Sequence, residues 1–281
     1  MKWRGRKKSS NVKDRRGKGF STKGIAGAGG GIGLIIMIVI AFVSGNPMAI
    51  LDQLVGNQQQ STSVPYVETH QDEELADFVS VVLHDTEEVW TDIFERNGMT
   101  YQEPELVLYS GAVQTACGFS SSAVGPFYCP GDEKLYIDLS FYDQLRTEFQ
   151  ASGDFAMAYV VAHEVGHHVQ TLLGKSNRLN AMRQQLSQTE FNEYSVKFEL
   201  QADYYAGVWA HHIDELGYLE EGDIQEAINA ATAVGDDTIQ KRAQGYVVPD
   251  SFTHGTSEQR RSWFYNGFEE GTLEGGEPLD F

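Results

Sequence analysis

Cysteine is almost missing from this chain: there are two in 281 residues, Cys117 and Cys129. Neither has partners at zinc-finger spacing, so a thiolate zinc module is excluded. Phosphate loops are missing too. The glycine run from Gly27 to Gly33 has neither the GxGxxG spacing nor a Lys-Ser/Thr ending. No internal repeat is visible. Cations are outnumbered, 21 Lys and Arg against 40 Asp and Glu, for a net charge of −19.

The charge is unevenly placed. Residues 1–43 carry ten Lys/Arg and one Asp, a balance of +9, whereas residues 44–281 carry a balance of −28. A basic arm alone would suit nucleic acid. Here an apolar segment, 24–45, follows it directly, which favours a membrane partner and no nucleic acid. That segment is near the roughly 20 residues a spanning helix needs. No small-x-small cleavage site lies near Ser44-Gly45-Asn46-Pro47, so an anchor is expected rather than a signal peptide. Positive residues ahead of it place the N-terminus in the cytoplasm and the acidic remainder outside. Cys117 and Cys129 suit that compartment and could form one disulfide. The expected organisation is a basic cytoplasmic arm (1–23), a transmembrane helix (24–45), a polar linker (46–70) and an acidic domain (71–281).

What is present in that domain is a run of metal-site chemistry. His163-Glu164-Val165-Gly166-His167 lies among Ala156, Tyr159, Val160, Val161, Val169 and Leu172, an apolar helix closed by Gly174. Four residues of separation turn a helix by about 40° beyond a full turn and advance it by about 6 Å. Both imidazoles therefore share a face and can hold one ion, with Glu164 near enough to reach a bound water without being a ligand. Glu199 and Asp203 are again four apart, beside an apolar stripe of Tyr194, Phe198, Ala202, Tyr205 and Trp209. They read as a third ligand and a carboxylate that fixes a ligand histidine's tautomer.

Three segments carry a resemblance: His163 to Gln170 (HExxHHVQ), Glu199 to Gly207 (ELQAD-YAG) and Thr253 to Arg260 (THGTSEQR). With these the chain resembles the neutral zinc metallopeptidase family of membrane-anchored bacterial proteins, and is similar more widely to the glutamate-zincin peptidases. The resemblance implies one catalytic Zn²⁺ on His163, His167 and Glu199, with Glu164 as base. Gly255 departs from the wider class, which tends to have proline there.

Thr256 and Gln259 have capping-box spacing, so His254 should sit just ahead of a helix. There it can donate to a forming oxyanion, while Arg260 braces Glu199 or Asp203. His70, His84, His168, His211 and His212 have no second ligand at useful spacing and read as structural or solvated.

The expected fold is α+β: an α-rich, zincin-like domain with an HExxH helix, an ExxxD helix and a small sheet, behind one transmembrane helix. Helices are expected from about Leu75 to Phe94 and over 141–150, 155–173, 190–216, 222–234 and 257–268. Strands are expected over Glu105–Ser110 and Leu135–Ser140, the second where the class places a substrate-binding edge. The expected function is a membrane-anchored zinc endopeptidase acting on protein or peptide. The competing class is a membrane-anchored binding or chaperone-like protein with a structural zinc, which would have no use for Glu164.

Overall fold

The computed structural model describes residues 1–17 and 68–279. In chain order these form β1 (Val12–Asp14), α1 (His70–Arg96), β2 (Glu105–Tyr109), β3 (Ala112–Thr115), β4 (Gly118–Ser121), β5 (Phe127–Cys129) and β6 (Lys134–Asp138). There follow α2 (Phe141–Thr147), α3 (Asp154–Leu172), α4 (Lys175–Arg183), α5 (Gln188–Glu215), α6 (Asp223–Ala233), α7 (Asp236–Gln244) and α8 (Ser257–Glu270). The expected α-rich α+β architecture is present. Helices α4 and α7, strand β1 and the β3–β4 hairpin were not expected from the sequence.

Local chemistry sets the helix ends. Thr69 with Asp72, Ser187 with Glu190 and Thr256 with Gln259 form reciprocal capping boxes at the starts of α1, α5 and α8. Each satisfies backbone N–H groups that a helix start leaves without partners. Gly174 follows α3 with φ +77°, the left-handed conformation expected of a closing residue.

The core lies where α3, α5, α6, α8 and α1 meet. Phe155 of α3 stacks on Trp209 of α5 at 5.6 Å. Trp90 of α1 meets Tyr205 of α5 edge-on at 5.5 Å. All four side chains are buried, which fixes α5 between α1 and α3.

The main sheet has the order β1-β2-β6-β5. β1 and β6 run parallel to β2, and β5 runs antiparallel to β6. This corrects the expected edge: the Leu135–Ser140 stretch forms β6, which is paired on both sides. The edge strand next to β6 is β5, supplied by the loop that ends at Cys129. A register of Phe127 to Tyr136 and Cys129 to Lys134 uses the hydrogen-bonding side of β6 that the sequence reading left open.

Residues 1–17, expected as an arm apart from the catalytic domain, pack on it. β1 pairs with β2 from Val12↔Leu106 to Asp14↔Leu108, and Trp3 packs edge-on against Phe78 of α1. The expected spanning segment 24–45 lies outside the described residues, as does the linker from 46 to 67. Among the described residues no helix is long and apolar enough to cross a membrane.

Candidate metal centre

Helix α3 presents His163 and His167 one turn apart, their rings 4.8 Å apart at 84°. Helix α5 crosses close enough to place Glu199 against both. Gly166, inside the HExxH pentapeptide, permits this: a Cβ there would lie 2.8 Å from the Ala202 carbonyl oxygen. Glu199 Oε2 is 3.2 Å from His163 Nε2, and Oε1 is 3.5 Å from His167 Nε2.

Those separations fit zinc. Four ligands in a tetrahedron at bond lengths of about 2.0–2.1 Å sit about 3.3 Å from one another. Among the described residues the donor atoms of His163, His167 and Glu199 form a group within 4.8 Å of one another. Glu164 is adjacent and outside that group.

In the neutral form that can ligate, both imidazoles have Nδ1 engaged and Nε2 left free. His163 Nδ1–H donates to Asp203 Oδ1 at 2.9 Å, and His167 Nδ1–H donates to Gln170 Oε1 at 2.8 Å. Gln170 is itself fixed, its amide donating to the Phe198 carbonyl at 2.7 Å and to Gln201 at 3.0 Å. Sequence reading identified Asp203 and missed Gln170. The signal was its position three residues after His167 on the same helix.

Asp203 is fully buried and takes four donors. Besides His163, Tyr159 Oη donates at 2.5 Å, and Arg260 donates from Nε at 2.8 Å and Nη2 at 2.9 Å. Burial alone would push Asp203 up; Arg260 and His163 outweigh it and hold the carboxyl below its usual range. Of the two carboxylates expected for Arg260, the bidentate partner is Asp203, with Glu199 at 4.0 Å.

The charged groups of the centre stabilise one another. Burial would raise Glu199, but His167, His163 and His254 pull it well below the usual carboxylate range. Burial would lower His163, yet Asp203 and Glu199 raise it to about 9. Glu164 goes the other way: burial raises its carboxyl against the pull of His167, His163 and a hydrogen bond from the Tyr128 backbone.

His254 precedes α8, as expected, and lies within the electrostatic reach of Glu199. Its Nδ1 is 3.2 Å from Asp236 Oδ1 and 3.1 Å from Thr253 Oγ1. Asp236, the first residue of α7, accepts the backbone N–H groups of Thr253, His254 and Gly255 at 2.7, 2.7 and 3.1 Å. Burial would lower His254, but Asp236 and Glu199 raise it. Gly255 has φ +89°, a conformation closed to proline. Asp236 was missed because α7 was not expected.

His168, next to His167, is fully buried and structural. Nε2–H donates to the Gln102 carbonyl at 2.6 Å, leaving Nδ1 to accept from Tyr128 Oη at 3.0 Å. It ties β5 to α3. Cys117 and Cys129 are joined in a disulfide that ties β5 to the β3–β4 turn.

The chain matches the family model described as "Putative neutral zinc metallopeptidase" over residues 1–277. It is 49% identical over 280 residues to the uncharacterized protein YpfJ of Escherichia coli (strain K12), covering 96% of each chain. It is 46% identical over 182 residues to the uncharacterized protein Rv2575 of Mycobacterium tuberculosis (strain H37Rv), covering 61% of this chain and 60% of that one. No solved structure matches it.

Proposed function

Because the chain belongs to the neutral zinc metallopeptidase family, we propose that it is a zinc-dependent endopeptidase attached to a membrane through segment 24–45. The observation that carries the zinc half is the triangle of His163, His167 and Glu199, with each histidine's Nδ1–H already engaged. Zinc bound there supplies Lewis acidity, lowering the pKa of a water and polarising a peptide carbonyl.

The chain's own residues do the rest. Glu164, its carboxyl raised by burial, accepts the proton of the attacking water and returns it to the leaving amine. His254, turned by Asp236 and raised toward its imidazolium form, donates from Nε2 to the oxyanion. Arg260 keeps Asp203 ionised, and Asp203 keeps His163 Nε2 free to ligate. β5 ends the sheet beside α3, so an extended protein or peptide substrate can add along that edge. Glu164 has no task in a purely structural zinc site, which disfavours the binding-protein alternative.

Glu164→Gln should keep near-stoichiometric zinc and lose casein hydrolysis, whereas His163→Ala and Glu199→Ala should lose the metal. Unchanged zinc by elemental analysis in both of the latter would overturn the ligand set. Casein hydrolysis that survives chelation would overturn the zinc mechanism.

A further inference from the structure

The basic charge of the N-terminal arm has a use inside the fold. Residues 1–17 carry eight Lys/Arg, and five of these pair with carboxylates of the domain. Arg4 meets Glu74 at 2.9 Å, Lys8 meets Asp77 at 2.5 Å, and Arg16 meets Glu68 at 2.6 Å. Arg6 pairs with Asp85 and Lys13 with Glu105.

Pairs on the surface add little stability. The two carboxylates that decide the matter are buried on α1. Asp85 is 1% exposed and Glu87 is 5% exposed. Burial pushes the Asp85 carboxyl up to about 7, and Arg6 is the cation that pulls against it. Arg6 also lies over the Tyr218 ring at 3.3 Å. Glu87 accepts from Ser9 Oγ at 2.6 Å and from Asn11 Nδ2 at 2.9 Å. A buried helix face with two carboxylates needs such partners, and the arm supplies them. The arm also covers the outer edge of β2 by pairing β1 to it.

The described residues that flank the intervening segment meet. Arg16, which closes the described arm, binds Glu68 and donates to the Asp72 carbonyl at 3.1 Å, at the entry to α1. Residues 16 and 68 therefore stand side by side on one face of the domain. A single crossing by segment 24–45 would put a membrane between groups that are in contact.

We propose that residues 1–17 and the catalytic domain lie on the same side of the membrane, so that segment 24–45 does not separate them. The arm's positive charge then complements the acidic α1 face rather than marking a cytoplasmic terminus. This replaces the opposite-sides arrangement expected from charge alone. It does not depend on the peptidase reading.

The test labels single introduced thiols with an impermeant maleimide on intact cells stripped of any outer barrier. Lys7→Cys and Ser10→Cys report on the arm, and Glu193→Cys reports on the domain; all three positions are exposed. The parent chain, whose two cysteines are paired, is the blank, and permeabilised cells give full labelling. Fractionation reads membrane attachment separately. Because a disulfide suits an oxidising compartment, all three sites should label. Labelling at none would keep arm and domain together and place both inside. Labelling of Glu193→Cys with neither arm site, or the reverse, would overturn the proposal.

Discussion

Removing the carboxylate of Asp203 should reveal a coupled pair rather than two independent contacts. Asp203 is 0% exposed and Arg260 4%, joined by two hydrogen bonds of 2.8 and 2.9 Å. In Asp203→Leu the guanidinium stays buried without its counter-charge, a loss of about 3–5 kcal/mol for a broken buried pair. For a domain of this size that corresponds to a fall of about 6–20 °C in Tm. Arg260→Met should cost less in metal-stripped protein. His163, raised to about 9 by Asp203 and Glu199, is already an imidazolium at neutral pH in that form and partly supplies the missing positive charge. The double variant Asp203→Leu/Arg260→Met removes both charges. It still leaves Tyr159 Oη and His163 Nδ1–H without their acceptor, at about 1–3 kcal/mol each, yet it should be less damaged than the two single losses added together. Denaturant melts of the metal-stripped full chain give the cycle. Additivity within about 0.5 kcal/mol would refute the coupling. The zinc affinity of both Asp203 variants should fall by about 10–100-fold, because the His163 tautomer loses its anchor.

Three further outcomes follow from the same geometry. His254→Ala should bind zinc normally and lose about 10²–10³ in kcat, the scale for one oxyanion donor; near-normal turnover would remove His254 from the site. Asp236 is held below the usual carboxylate range by His254 and three backbone N–H groups, against burial. Its stabilisation is therefore complete above pH about 4 and is lost as pH falls through the lower folded value, so Asp236→Asn should flatten the acid limb of a Tm-against-pH curve. Gly207→Ala should destabilise by about 1–3 kcal/mol or more, since its Cβ would fall 2.0 Å from the Phe264 carbonyl oxygen; an unchanged melting curve would contradict the α5–α8 contact.

The candidate ligands His163, His167 and Glu199 were legible in the sequence because each depends on spacing within one helix. His163 with His167, and Glu199 with Asp203, are one turn apart, and helix geometry alone sets each pair on a shared face. The Thr256–Gln259 cap was legible for the same reason, and it placed His254 correctly ahead of α8. Gln170 and Asp236 were harder. Gln170 matters only because Phe198 and Gln201 of another helix hold its amide. Asp236 matters because α7 returns its first residue to the loop before α8. Such roles depend on contacts between elements, and a periodicity cannot show them.

The sheet failed for a related reason. The run around Leu135 was correctly expected to be a strand, but a strand's position in a sheet depends on which neighbours arrive on either side. β5 and β1 are three residues each, too short for alternation to register, and they take the two edges. β1 also lies in the segment whose charge pointed elsewhere. A cluster of Lys and Arg ahead of an apolar stretch reads as a topology signal when the chain is treated as a line. The buried Asp85 and Glu87 of α1 give part of the arm a second role, because in three dimensions they face Arg6, Ser9 and Asn11. Net charge along a sequence measures how much charge is present; whether that charge meets the membrane or its own domain is decided by the partners folding brings to it.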